Sequence, residues 1–340
     1  MKAHFVLSKS KVFEQVKKLK DLGLEISYSY KTNHEVGDLL QEEEVGFSIH
    51  AQKEIEMIKD KSKISFFTQA ENKEELKEIL EKGVRSFVVD NELDLKIILE
   101  IIKKTKTKID LSIRMKFSEH RIGTGKYFVY GMPSQKVNEL ISEIKDNQLI
   151  ENLGIHIHRK SQNTSEWEIK SELEDSLTTE TLERINFVNL GGGLPSKYKS
   201  ARLEVLPYIF EKLKATKEFL AEKEIKTIIE PGRFIAAPSV KLETEIIQIQ
   251  NENLIINTTI YNCALDGVLT GIKMLVEKEL EEGKNYLIKG NSPTRDDIFR
   301  YRIKLDNPKV GDKITFLNAG AYNYTTDFFG YKKLETVVVD

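Results

Sequence analysis

Glu25-Ile-Ser-Tyr-Ser-Tyr-Lys31-Thr-Asn33 is a run of strand-forming residues that ends on an amine. Similar short runs rich in Ile, Val and Phe recur along the chain. With the first at 25–30, they fall near 45–49, 63–68, 85–89, 108–115, 152–158, 185–190 and 226–230. Most are separated by stretches such as Lys73-Glu-Glu-Leu-Lys-Glu-Ile-Leu80 and Leu93-Asp-Leu-Lys-Ile-Ile-Leu-Glu-Ile-Ile102, with apolar residues three and four apart as helices require. Eight strands with interposed helices predict a TIM-like (β/α)8 barrel, whose catalytic groups come from the C-terminal strand ends. Fewer strands would give an open doubly wound sheet. In the barrel reading Lys31 faces the mouth. Apolar and aromatic neighbours weaken an amine's preference for the charged form. Such an amine can attack a carbonyl, including the aldehyde of pyridoxal phosphate. A solvated lysine after a strand is the ordinary alternative.

The alternation stops after Pro231-Gly-Arg233. From about 238 onward the runs are strand-like without long helices between them: 240–250, 254–261, 285–288, 313–317 and 336–339. Residues 3–7 are strand-like too. The expected fold class is therefore α/β plus β, with a barrel over 20–236. A β-rich domain, barrel or sandwich, is built from 1–19 and 237–340.

The 340 residues carry a formal charge of −2, which gives no reason to expect nucleic acid or membrane as partner. Cys263 is the only cysteine, so neither an intrachain disulfide nor a thiolate metal cluster is available. The start lacks the apolar run of a signal peptide, and no stretch is long enough to span a bilayer. The expectation is a soluble cytoplasmic protein.

Unusual residues gather where the proposed strands end. In Gly154-Ile-His156-Ile-His158-Arg-Lys-Ser161-Gln162, period two puts His156 and His158 on one side. Such a pair could bind a metal but lacks a third ligand of matching spacing, so no metal is expected; a hydrogen-bonded core histidine suits His156. Leu190-Gly191-Gly192-Gly193 exposes consecutive backbone N–H groups, which suits a phosphate at a late barrel strand, although tight turns use the same residues. Ile228-Ile-Glu230-Pro231-Gly232-Arg233 ends in a carboxylate able to hold a cationic ring nitrogen, or else in a salt-bridged loop.

The ordered series resembles the alanine-racemase-like (fold type III) pyridoxal-phosphate enzymes, in their ornithine/diaminopimelate decarboxylase branch, over nearly the whole chain. Tyr30-Lys31-Thr-Asn33 resembles the family's Tyr-Ala-Val-Lys-Ala-Asn segment, which implies that Lys31 is the Schiff-base lysine. The histidine segment resembles His-x-His-x-Gly-Ser-Gln, implying His158 stacked on the cofactor ring and Ser161 as a phosphate ligand. Gly191, Gly192 and Gly193 match the family's phosphate-binding glycines. Glu230, Gly232 and Arg233 belong to the motif carrying the ring-nitrogen partner. Arg114 and Tyr322, in Leu111-Ser-Ile-Arg114 and Gly320-Ala-Tyr322, match an arginine near the cofactor and a tyrosine near its phosphate.

Leu265-Asp266-Gly267-Val268 is similar to the Asn-Asp-Gly-Val of ornithine decarboxylases, whose aspartate helps hold a distal amine. The stretch 320–331 also resembles that branch. The Arg-Pro-x-x-Tyr-type segment of diaminopimelate decarboxylases is not found, which favours a distal cation over a second carboxylate. Two departures stand out. The family's Cys-Asp/Glu-x-x-Asp motif, reaching across a dimer, aligns with Gly290-Asn-Ser-Pro293-Thr294-Arg-Asp296-Asp297, so Pro293 replaces the cysteine that directs proton return. Gly46-Phe-Ser48-Ile-His50-Ala has Ser48 where the family has aspartate, with His50 a possible substitute.

The resemblance implies a pyridoxal-phosphate-dependent decarboxylase, a homodimer with shared active sites. It would take a basic L-amino acid (ornithine- or lysine-like) or a carboxylated polyamine, and release a di- or polyamine and CO2. Lys31, His158 and Glu230 would be catalytic, and Asp266 with Asp296 or Asp297 would hold the distal amine. An amino-acid racemase, a diaminopimelate decarboxylase and a catalytically impaired cofactor-binding protein stay open. An aldolase-type use of Lys31 would leave the Glu-Pro-Gly-Arg and His-x-His positions unexplained.

Overall fold

The computed structural model describes residues 1–117, 130–201, 203–324 and 330–340; the expected resemblance over 325–329 lies outside them. The first strands are β1 (His4–Ser8), β2 (Glu25–Ser29), β3 (Gly46–Ile49), β4 (Ile64–Thr68), β5 (Ser86–Val89) and β6 (Ile109–Lys116). They are followed by β7 (Met132–Pro133), β8 (Ile150–Ile157), β9 (Phe187–Asn189) and β10 (Lys226–Ile229). All of these except β1 and β7 form a ring in the order β2-β3-β4-β5-β6-β8-β9-β10, every pair parallel, and β10 pairs back onto β2. This is the expected closed eight-stranded barrel, and each strand begins within about two residues of its place in the sequence reading. The strands are buried almost continuously, as parallel strands covered by helices must be. Asparagines start several covering helices. Asn72 forms a capping box with Glu75 before Lys73–Glu81, and the Asn91 carboxamide accepts from the Leu93 and Asp94 N–H groups before Glu92–Thr105.

The remaining strands are β11 (Val240–Gln250), β12 (Asn253–Ile256), β13 (Leu275–Val276), β14 (Asn285–Lys289), β15 (Ile298–Lys304), β16 (Lys313–Leu317) and β17 (Glu335–Val339). They form a separate mixed sheet organised on β11, which pairs with β12, β16 and β1. The N-terminal strand β1 lies between β11, antiparallel, and β17, parallel. Helix Lys9–Lys20 then leads away and packs on helix Arg233–Ser239 and β2.

Two features of this sheet depart from the sequence expectation. The strand expected over 254–261 stops at Ile256, because the Thr259 side chain accepts from the Tyr261 N–H and starts the short helix Ile260–Cys263. β15 was not foreseen. Its Arg300 breaks the apolar pattern yet is fully buried, where it forms a fork on Glu279 at 2.8 and 2.9 Å. No helix of the described residues is long and apolar enough to cross a membrane.

The two units meet at the end of β2. The Asn33 carboxamide caps helix His34–Leu40 by accepting from the Val36 N–H (3.1 Å), and its Nδ2 donates to the Gly320 carbonyl (2.9 Å). The Tyr322 N–H donates to the Thr32 carbonyl (3.0 Å). The segment carrying Tyr322 is thereby hydrogen-bonded to the turn that carries Lys31.

Candidate active site

A cavity of about 350 Å³ opens at the C-terminal ends of the barrel strands. Its lining includes Lys31, Arg114, His158, Ser161, Gly192, Gly193, Glu230, Gly232, Arg233 and Tyr322, so ten positions singled out in the sequence converge on one space. Gly191 adjoins them, and His50 and Phe67 complete one wall.

Lys31 sits in the single 3-10 turn Tyr30–Thr32 that follows β2. Its amine has no hydrogen-bond partner among the described residues. Loss of surrounding water lowers its pKa from the ordinary lysine value, and Glu230 and Glu54 oppose that shift. The lysine is thus a more accessible nucleophile than a surface amine.

Glu230 immediately follows β10 and is buried. Its Oε1 accepts from the Ser48 hydroxyl (2.7 Å) and the Asn189 carboxamide (2.8 Å), while Oε2 accepts from His156 Nε2 (3.2 Å). Burial alone would raise its pKa. The attraction and hydrogen bond of His156, with the Ser48 hydroxyl, outweigh burial and hold the carboxyl at about 2. His156 is accordingly a buried, hydrogen-bonded histidine, its ring edge-on to Phe67.

His158 lies just past β8, and its Nδ1 accepts from the Gly192 N–H (3.2 Å). That bond leaves the proton on Nε2 and fixes the ring. Burial, then His156 and Arg114, push its pKa down to about 3, so the imidazole is neutral at physiological pH. Arg114 on β6 is held by Asp90 (3.0 Å) with its guanidinium over the Tyr130 ring.

The glycine turn is narrower in its offerings than the sequence suggests. The Gly191 N–H donates to Asn189 Oδ1 (2.9 Å) and the Gly192 N–H to His158. Only the Gly193 N–H of the three has no partner among the described residues. Side chains are excluded all the same: a Cβ at Gly191 would meet the Ile157 carbonyl at 2.2 Å, and one at Gly193 the Lys160 carbonyl at 2.6 Å, both at positive φ. The loop bearing Ser161 is pinned to this turn. The Asn163 N–H donates to the Gly193 carbonyl (2.8 Å), and Gln162 exchanges two hydrogen bonds with the Ser196 backbone.

The aspartates assigned to the substrate depart from expectation. Asp266 is buried in a two-pronged pair with Arg233, Nη2 to Oδ1 at 3.0 Å and Nη1 to Oδ2, while Nη1 also donates to the Tyr198 hydroxyl oxygen at 3.0 Å. A carboxylate so engaged offers little to a substrate amine. Asp297 is completely buried, and its oxygens accept from the Ile260 (2.9 Å) and Ser292 (3.0 Å) N–H groups, so it staples two loops. Asp296 is exposed beside Arg295. Pro293 is exposed, and Cys263 is buried with its thiol pushed up to about 12, so neither position supplies a reactive thiol. No cluster of three or more metal-ligating side chains occurs among the described residues. Asn189, Asp90 and Ser27 (2.7 Å from Ser48) were missed, because small polar residues in or just after strands carry no motif.

This donor set fits a phosphorylated pyridine aldehyde. A carboxylate fixed in its charged form suits a protonated ring nitrogen, and a neutral imidazole suits the ring face. The buried Arg233 Nε without a partner, among the described residues, and the open Gly193 N–H suit an anion.

The comparisons agree. A family model described as the pyridoxal-dependent decarboxylase, pyridoxal binding domain, matches residues 9–237. Diaminopimelate decarboxylase of Bacillus subtilis is 23% identical over 94% of this chain and 80% of its own length. That of Methanocaldococcus jannaschii is 24% identical over 87% and 74%. Among solved structures, diaminopimelate decarboxylase from Helicobacter pylori complexed with L-lysine superposes with a TM-score of 0.85 at 20% identity, over 100% of this chain and 92% of that one. Lysine decarboxylase from Selenomonas ruminantium gives 0.81 at 20% identity, over 99% and 92%. The chain belongs to the pyridoxal-dependent decarboxylase family and is a pyridoxal-phosphate enzyme of that class.

Proposed function

We propose that the substrate is a basic L-amino acid, ornithine- or lysine-like, or a carboxylated polyamine, decarboxylated at its α-carbon to a di- or polyamine. The observation that carries the reaction type is Glu230, held as a carboxylate by three donors in the cavity that contains Lys31, whose amine has no hydrogen bond among the described residues. In this reading Lys31 carries the cofactor's aldehyde carbon, His158 supports the ring face and Glu230 takes the ring nitrogen. Gly193, Ser161, Arg233 and Tyr322 surround the phosphate, with Gly191, Gly192 and Gly232 leaving room for it and Arg114 beside the ring. Pyridoxal phosphate, when bound, supplies the electron-withdrawing ring that takes up the electron pair left by CO2 loss.

The residues then divide the work. Glu230 stays ionised across the neutral range and keeps a proton on the ring nitrogen. Lys31, with its lowered pKa and no competing hydrogen bond, holds and returns the proton at the α-carbon, a task for which no thiol is placed. For the distal end, Asp296 contributed by a second copy of the chain is the acid left exposed, since Asp266 and Asp297 are buried and engaged. We also propose a homodimer, a cytoplasmic location and the division into 20–236 and 1–19 with 237–340.

Diaminopimelate is the second reading, supported by the curated relatives, which bear that name. CO2 release from ornithine, lysine, arginine, diaminopimelate and carboxynorspermidine, with cofactor supplied, separates the two. Release from diaminopimelate alone would overturn the distal-cation reading. Chiral analysis of recovered substrate distinguishes a racemase, and no turnover of any amino acid would mark an impaired binder.

A further inference from the structure

Ser48 is completely buried at the position where the resemblance has an aspartate. Its hydroxyl proton goes to Glu230 Oε1 at 2.7 Å, and because a hydroxyl has one proton, the 2.7 Å contact with Ser27 must be donated by Ser27. The result is a directed chain, Ser27 to Ser48 to Glu230, crossing from β2 through β3 to the residue after β10. Glu230 is the only carboxylate among the described residues lining the cavity, against Lys31, Arg114 and Arg233. An aspartate at 48 would place a second negative charge against it, and a serine places a donor there instead.

We propose that Ser48, oriented by Ser27, is a positioning residue that fixes the charge and direction of Glu230 toward the cofactor ring. This rests on the cofactor reading above. Other groups also face Glu230: Lys31 from the end of β2, His50 after β3, and His156 and His158 on and after β8. Asn189 on β9 adds a neutral donor. With Ser48 removed, Glu230 Oε1 keeps the Asn189 carboxamide as its one donor among the described residues.

The test uses the full chain as wild type, Ser48→Ala, Ser48→Thr and Ser27→Ala. Two readouts are taken: the affinity of cofactor-free protein for pyridoxal phosphate, and thermal stability of the cofactor-free protein across pH 2–8. A hydrogen bond to a charged group predicts that Ser48→Ala weakens cofactor affinity about tenfold or more, with Ser27→Ala smaller and Ser48→Thr near wild type. A carboxyl held low in the folded state stabilises above its unfolded pKa and loses that contribution as pH falls. The Ser48→Ala deficit in melting temperature is therefore fully present at neutrality and closes only as pH falls toward the folded Glu230 value of about 2. A deficit constant with pH, or unchanged affinity, overturns the proposal, since lost packing alone has no pH dependence. If no variant, wild type included, takes up cofactor, the cofactor reading fails while the stability profile still decides for or against Ser48.

Discussion

The strand-end wall of the cavity and the second unit beyond it use their acids in opposite ways. On the strand-end side Glu230 is surrounded by donors on β3, β8 and β9, all anchored in the barrel, and remains open to the cavity. In the second unit Asp266 is closed onto Arg233 and Asp297 onto two backbone N–H groups, so both acids serve the protein before any substrate arrives. The acid in the cavity is preorganised, while the acids of the second unit are engaged in holding that unit to the barrel and its own loops together. Reaction type is consequently better defined by this molecule than chain length or distal charge of the substrate.

The largest way to break this contrast is at Lys31. Lys31→Ala should abolish CO2 release from every substrate while leaving the melting temperature close to wild type, because the amine makes no hydrogen bond among the described residues. A variant that retains turnover would remove the preorganised end from the reaction. Next comes the buried pair: Asp266→Ala leaves Arg233 uncompensated, and breaking such a pair costs about 3–5 kcal/mol. Denaturant unfolding measures this, and a cost near zero would return Asp266 to the substrate. Asp297→Ala strands two buried N–H groups and should cost roughly 2–4 kcal/mol, with KM of the surviving folded enzyme little changed. A large rise in KM without loss of stability would reverse its assignment.

The smallest effect concerns pH. His158 and His50, depressed to about 3 and about 4 by burial and by neighbouring positive groups, stay neutral through the physiological range. No limb of the kcat/KM profile should fall at the ordinary imidazole value of about 6.5 through either residue. A limb there that vanishes in His158→Phe would contradict the neutral ring. The same depression means that the unfolded chain protonates these rings first, so stability declines as pH drops below that value.

Most of the barrel and the cofactor end were legible because strand ends, glycine turns and a misplaced lysine each leave a local mark. Lys31, His158, Gly193 and Glu230 were found from short segments, and the fold then brought them to one cavity. The supports were not legible. Asn189, Asp90 and Ser27 are ordinary strand-end or strand residues until the ring closes and sets them beside Glu230, Arg114 and Ser48. Nor could sequence tell an aspartate that binds an amine from one that pairs with arginine, since the residues around Asp266 read the same either way and only its distance to Arg233 separates the two. β15 stayed hidden for a related reason, because a buried Arg300 reads as a solvent-facing residue until Glu279 is seen against it.

The central claim is that cofactor chemistry is anchored at Lys31, and it is tested most directly by reducing the cofactor-loaded protein with borohydride and mapping the modified peptide by mass spectrometry. Attachment at Lys31 puts the cofactor's mass on the peptide spanning that residue and on no other. Recovery of the mass on a different lysine, or of unmodified Lys31 from fully loaded protein, would contradict it.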